Sequence, residues 1–188
     1  MEFVIIQLGD YISKERLNCI LSIKNKILPE DQFTFISDID LFHDDKICLI
    51  PATKYLEVIR WGNTILDDFL KAFVLPPENL ADIIRFHYAA LKDDLFYCDT
   101  DVLLKERPVF TGNKPCFTFD YDVNVFWTGF GNSNFFNELL YYPIKNEYWK
   151  KYYRASFITR LREQKEKIGI VDKNIYEHFE LGARGTGL

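Results

Sequence analysis

The chain has 188 residues, 48% of them apolar and 16% aromatic, with a formal net charge of −5. That is enough apolar material for one domain with a sizeable core, and it excludes a largely disordered chain. Charge is uneven: residues 145–167 hold eight Lys/Arg against three Glu, a net of +5 that leaves −10 to the remainder. An acidic body with one basic segment excludes a general nucleic-acid binder, but allows that segment to meet an anionic partner or a membrane surface. With 17 Phe and 11 Tyr, some rings are expected to line a groove or interface rather than the core. Cys19, Cys48, Cys98 and Cys116 form no CxxC pair. Neither structural zinc nor a disulfide framework is expected; reduced, mostly buried thiols in a cytoplasmic protein are.

The opening residues, MEFVIIQLGD, start directly as a strand over 3–8, without the basic n-region or the long apolar run of a signal peptide or membrane span. Ser13 is placed to cap a helix over 14–28, whose inner face is Leu17, Ile20, Leu21, Lys24 and Ile27/Leu28. Strands follow over 32–36 and 46–50, the first ending at Ser37-Asp38. Thr53 is placed to cap a helical pattern reaching Phe73, with Gly62-Asn63 as its weak point. Leu75-Pro76-Pro77 breaks the chain before a short amphipathic helix from Ala81. That helix leads through Asp93-Asp94 into an apolar strand ending in Asp99-Thr100-Asp101. After a loop over 105–115 come strand-like pieces over 116–119 and 123–128, and a turn over 129–132. Ser133 is placed to cap a helix over 134–140, and a basic, aromatic helix is expected over 147–168. The end, from His178, is Gly-rich and expected to be irregular. Alternating strands and helices predict an α/β fold. In such folds ligands sit at the carboxyl ends of strands, where Gly9-Asp10, Ser37-Asp38 and Asp99-Thr100-Asp101 converge.

Asp99 and Asp101 are two residues apart, so an extended chain points both carboxylates the same way. Their repulsion is relieved by a cation. Oxygen ligands suit Mg²⁺ or Mn²⁺, which complete their shell from phosphates and water, so the pattern implies a diphosphate-containing substrate. Asp82 and Arg85, at i and i+3, share one side of the preceding helix. That spacing alone also fits an ordinary surface ion pair. An apolar strand followed by Asp-x-Asp also opens the haloacid-dehalogenase-like phosphatases. Here Val102-Leu103 stands where that family has Gly-Thr. The aromatic and basic stretch of Tyr141-Tyr142 and Tyr148 to Arg154 fits either a membrane-surface or lipid-acceptor contact, or a helix packed by its rings.

Together, Ala81-Asp82-Ile83-Ile84-Arg85-Phe86 and Tyr97-Cys98-Asp99-Thr100-Asp101-Val102-Leu103-Leu104 resemble the signature of the DXD-containing sugar-nucleotide glycosyltransferases. That group includes capsule and oligosaccharide transferases, the initiating mannosyltransferases and the catalytic domains of large glucosylating toxins. Its pattern is approximately Ser-Asp-x-x-Arg-Tyr, a helix, Gly-Gly, then Tyr-x-Asp-x-Asp. Ala81 stands for the Ser, Asp93-Asp94 for the Gly-Gly, and Leu8 where many members have Trp. The resemblance implies a small GT-A fold, a central mixed sheet flanked by helices, as a single domain over 1–188 with 145–188 a helical, basic and partly mobile segment. It implies transfer of a hexose from a UDP-sugar, with retention, to a glycan or lipid-linked acceptor, and a Mn²⁺ or Mg²⁺ cofactor. By position it assigns donor contacts to Gln7, Asp38, Asp82, Arg85 and Asp99, catalysis to Asp99, Asp101 and Arg85, and metal ligation to Asp99 and Asp101. His178 and Glu180 are the candidates for a third ligand. The location expected is cytoplasmic, at the inner face of a membrane if 145–167 docks there. The alternatives are a nucleotide-sugar-binding module with reduced catalysis and the phosphatase-like hydrolase.

Overall fold

A computed structural model describes residues 1–42, 47–118, 123–145 and 157–179. Its main sheet has seven strands in the order β3-β2-β1-β4-β7-β6-β8. They are β1 (Glu2–Gln7), β2 (Gln32–Ser37), β3 (Ile47–Ile50), β4 (Leu95–Cys98), β6 (Cys116–Phe117), β7 (Val125–Trp127) and β8 (Gly169–Ile170). Strands β1 to β4 pair in parallel, and β7 runs antiparallel to both β4 and β6. A second sheet joins β5 (Val102–Leu104) to β9 (Tyr176–His178). The expected α/β architecture, a mixed and mostly parallel central sheet flanked by helices, is what the chain adopts.

β1 and β4 are buried along their whole length, which is why both read as continuous apolar runs. Strand alternation divides their side chains between two cores. Val4, Ile6, Leu95 and Tyr97 enter one core with α2 (Ala52–Gly62), α3 (Thr64–Ala72), α4 (Pro77–Ala90) and α5 (Ser133–Lys145). Phe3, Ile5, Phe96 and Cys98 enter the other with α1 (Lys14–Lys24), β5 and β9. The end of β4 therefore presents odd-numbered side chains to α4 and even-numbered ones to α1.

Several boundaries differ from the sequence expectation, each for a local reason. α1 stops at Lys24, because the Leu28 amide turns back onto Asp31 Oδ2 at 2.9 Å. The pattern over 53–73 splits into two helices at Asn63, whose side chain accepts from the Leu66 amide and caps α3. α4 begins at Pro77 rather than near Ala81; a proline costs nothing at the first helical position, where its missing N–H has no partner. Asp82 and Arg85 consequently lie in mid-helix. Ser133 does not cap α5. Its hydroxyl donates to the Ala90 carbonyl at 2.6 Å, tying α5 to the end of α4. α5 continues to Lys145 with Pro143 inside it. Of the helix expected over 147–168, the described residues are helical over 157–163 and form a 3₁₀ turn at Lys165–Lys167. Tyr148 to Arg154 and Glu180 lie outside the described residues. His178 closes a strand rather than opening an irregular tail. Cys19 and Cys98 are buried, Cys116 is partly buried, and Cys48 is exposed on the edge strand β3. Among the described residues, no helix is long and apolar enough to cross a membrane.

Candidate functional site

The turn before β4 is where the sequence departs most from the signature. Asp94 adopts φ 52°, the left-handed conformation that Asp and Asn tolerate better than other side chains. Its amide donates to the Gly129 carbonyl, its carbonyl accepts from the Glu2 amide, and its carboxylate accepts from Trp127 Nε1 at 2.9 Å. Asp93 accepts from the Gly131 amide at 2.8 Å. The Asp-Asp pair thus supports the sharp turn that a Gly-Gly pair would allow, by conformation at one residue and by hydrogen bonds at both.

β4 delivers Asp99 at its carboxyl end, where the Asp99 amide donates to the Asn124 carbonyl at 2.8 Å. The chain then turns: the Val102 amide donates to the Asp99 carbonyl at 3.2 Å. The motif is therefore not extended, and its two carboxylates have different surroundings. Asp99 follows Tyr97 by two and faces α4; Asp101 lies beside β9.

On the α4 side the structure brings together Asp82, Arg85, Tyr97 and Asp99. Arg85 Nη2 lies 2.5 Å from Asp82 Oδ1, and Nη1 lies 3.6 Å from Asp99 Oδ1. Nη1 also donates to the Val123 carbonyl at 2.9 Å. The guanidinium sits over the rings of Phe86 and Tyr97. The side chains of Arg85 and Asp82 are only 4% and 5% exposed, so this is a buried pair and not the surface pair its spacing would equally permit. Tyr97 donates its hydroxyl to Asp99 Oδ1 at 2.5 Å. Burial, and then the Asp99 charge, push the Tyr97 hydroxyl well above its ordinary pKa, so it remains a donor. The neighbouring Cys98 thiol is raised for the same two reasons, which makes it inert.

On the other side, antiparallel pairing sets Val102 against His178, and the Phe179 amide donates to the Asp101 carbonyl at 2.9 Å. His178 Nε2 comes within 3.5 Å of Asp101 Oδ1, a buried oxygen that accepts no hydrogen bond. Burial and then the Asp101 charge push the Cys19 thiol up to about 11. Such an oxygen is costly to desolvate without a cation or a donor. Among the described residues, no group of three or more His, Cys, Asp or Glu is arranged as a metal cage. The donor set of two carboxylates, with His178 beside one of them, still fits a hard divalent ion that takes the rest of its shell from phosphate and water.

Gln7 and Asp38 stand at neighbouring strand ends, since Gln7 registers with Ser37. Each has a local task. Gln7 is buried, and its amide nitrogen donates to the Leu8 carbonyl at 2.9 Å. Asp38 accepts the Thr53 amide at 3.1 Å and the Thr53 hydroxyl at 2.8 Å, holding the start of α2 where Thr53 itself was expected to cap. Tyr97, part of the signature but given no role from the sequence, joins the site, and its spacing carries the signal, because a residue two before Asp99 in a strand shares its face.

No protein-family model matches the sequence, and no curated protein matches it. Solved structures do. The PaToxG glycosyltransferase superposes with a TM-score of 0.58 at 14% identity, over 87% of this chain and 69% of its own. The glycosyltransferase GlyE of Streptococcus pneumoniae superposes with a TM-score of 0.50 at 10% identity, over 90% of this chain and 45% of its own. The chain thus spans less than half the length of GlyE. At such identities the likeness is one of fold. With its mostly parallel seven-stranded sheet and its acidic turn at the end of β4, the chain has the GT-A-like fold of glycosyltransferases.

Proposed function

We propose that the chain is a metal-dependent, retaining glycosyltransferase that moves a hexose from a UDP-sugar to a glycan or lipid-linked acceptor. The observation that carries this reading is the buried Asp82–Arg85 pair beside the partly exposed Asp99, which opens the Asp-x-Asp turn on the carboxyl edge of a GT-A-like sheet. Donor sugars are rich in hydroxyls, and fixed carboxylates accept from them. In this reading Asp99, a quarter exposed, accepts from the donor, and the buried Asp82 acts on it through Arg85. Arg85 lies between them, 2.5 Å from Asp82 Oδ1 and 3.6 Å from Asp99 Oδ1. Asp99 and Asp101 would hold a Mn²⁺ or Mg²⁺ ion, with His178 beside Asp101. When bound, that ion neutralises the charge on the departing diphosphate. Asp101 is suited to direct ligation by its buried oxygen that accepts no hydrogen bond. No general base is assigned, in keeping with the retaining course that the sequence resemblance implies.

The test is release or transfer of sugar from a panel of nucleotide sugars, with Mn²⁺ and with EDTA. Asp99→Ala and Asp101→Ala are expected to abolish turnover while leaving the fold intact. Wild-type rates from both variants in EDTA would end the proposal. The second reading, a nucleotide-sugar-binding module without turnover, is favoured by one observation: the chain covers 45% of GlyE. Calorimetry with UDP and Mn²⁺ separates the two, because binding without sugar release supports the module.

A further inference from the structure

We infer that Tyr97 is a positioning residue for Asp99, fixing that carboxylate's orientation toward the divalent ion and the donor. The inference rests on the reading of Asp99 above. Its hydroxyl donates to Asp99 Oδ1 at 2.5 Å, and Arg85 Nη1 approaches the same oxygen at 3.6 Å. One donated hydrogen bond and a nearby guanidinium charge on the same oxygen favour one rotation of the carboxylate about its Cβ–Cγ bond, and the hydroxyl supplies the directional part. A hydrogen bond from a hydroxyl to a carboxylate is also among the stronger ones available to a side chain.

Tyr97 is itself held firmly. It is 1% exposed. Its ring stacks on Phe126, with centroids 5.0 Å apart and planes at 20°, and it faces the Arg85 guanidinium at 5.5 Å. A phenylalanine core needs none of the hydroxyl, and Phe96 and Phe126 on either side of the same strand pair show that the sheet accepts one. The hydroxyl is therefore explained by what it touches, which is Asp99. Groups that orient a metal-binding carboxylate from behind typically contribute 10–100-fold to metal affinity.

The experiment is a Mn²⁺ titration of the whole chain in saturating UDP, read by the electron paramagnetic resonance of the free ion, on four proteins: wild type, Tyr97→Phe, Asp99→Ala and the double variant. Tyr97→Phe keeps the ring, its stacking and its face toward Arg85. Its unfolding midpoint is compared with wild type to show that the fold is retained. The expected result is a loss of about tenfold or more in Mn²⁺ affinity for Tyr97→Phe, and no further loss when the change is added to Asp99→Ala. Wild-type affinity in Tyr97→Phe, with affinity lost in Asp99→Ala, overturns the inference and leaves the metal reading standing. An equal loss from Tyr97→Phe with or without Asp99 also overturns it, because the hydroxyl then acts elsewhere. Wild-type affinity in Asp99→Ala removes the metal role of Asp99 and the inference together.

Discussion

Replacing Arg85 by methionine tests the centre of the site through stability alone. The guanidinium is 4% exposed and its partner Asp82 is 5% exposed, so solvent cannot take over the lost contacts. Arg85→Met leaves the Asp82 carboxylate buried with its cation gone, takes away the cation 3.6 Å from the partly exposed Asp99, and removes a donor from the Val123 carbonyl. Removing one partner of a buried pair costs about 3–5 kcal/mol, whereas an exposed pair at the same spacing is worth at most about 1 kcal/mol. For a chain of this length each kcal/mol moves the midpoint by roughly 2–4 °C, so the midpoint should drop by about 6–20 °C. The double variant Asp82→Leu/Arg85→Met should recover part of this, because an apolar pair of similar volume removes the buried charge together with its cation. Thermal and urea unfolding followed by far-UV circular dichroism measure both variants. A loss under about 1 kcal/mol for Arg85→Met, or a double variant less stable than the single, would refute the buried-pair argument.

Gly129 has φ 67°, and a Cβ there would lie 2.3 Å from the Asn113 carbonyl oxygen. Gly129→Ala should cost about 2 kcal/mol or more, from left-handed strain plus the clash, and lower the urea midpoint accordingly. His87 accepts or donates across 3.0 Å to the Tyr55 hydroxyl, and burial lowers its pKa from the ordinary 6.5. The folded chain therefore binds this proton less well than the unfolded chain. The contribution is full above pH 6.5 and is lost as the pH falls below it. Between pH 7 and about 5 the urea midpoint of wild type should fall more steeply than that of His87→Gln. Ser22 accepts the Leu104 amide at 2.9 Å, joining α1 to β5. Ser22→Ala leaves that amide without its acceptor, at about 1–3 kcal/mol. Mn²⁺ affinity should fall with it, because Asp101 immediately precedes β5, and unchanged affinity would show that β5 is held in other ways.

The parts of this fold that the sequence displays are those governed by local rules. β1 and β4 read as buried strands because both faces are covered, and the Asp82–Arg85 spacing places two polar side chains on one side of a helix. The sequence could not show that this side is also enclosed. α4 buries eight residues, including both members of the pair, because α5 and the 157–163 helix close over it, with Phe136 and Phe157 in the same core. Such enclosure depends on residues fifty and more positions away. The same holds for Asp38, whose carboxylate is drawn to Thr53 by the packing of α2 against β2. β9 is three residues long, too short for alternation to register, and its pairing with β5 exists only in the tertiary structure.

That pairing changes what the Asp-x-Asp spacing means. An extended chain would make the two carboxylates equivalent members of one strand. The turn at Thr100 instead assigns them to different bodies of the fold. Asp99 belongs to the main sheet, tied to Asn124 by its backbone and to Tyr97 and Arg85 by its side chain. Asp101 belongs to the small sheet, tied to Phe179 and set beside His178. The separation between the carboxylates is then fixed by how the β5–β9 pair docks on α1, through Ser22 and the core of Ile20, Val102, Leu104 and Tyr176. A divalent ion bound by both carboxylates would bridge the two sheets. Its binding should stabilise the docked arrangement by mass action, and loosening that dock should weaken the ion without touching either ligand.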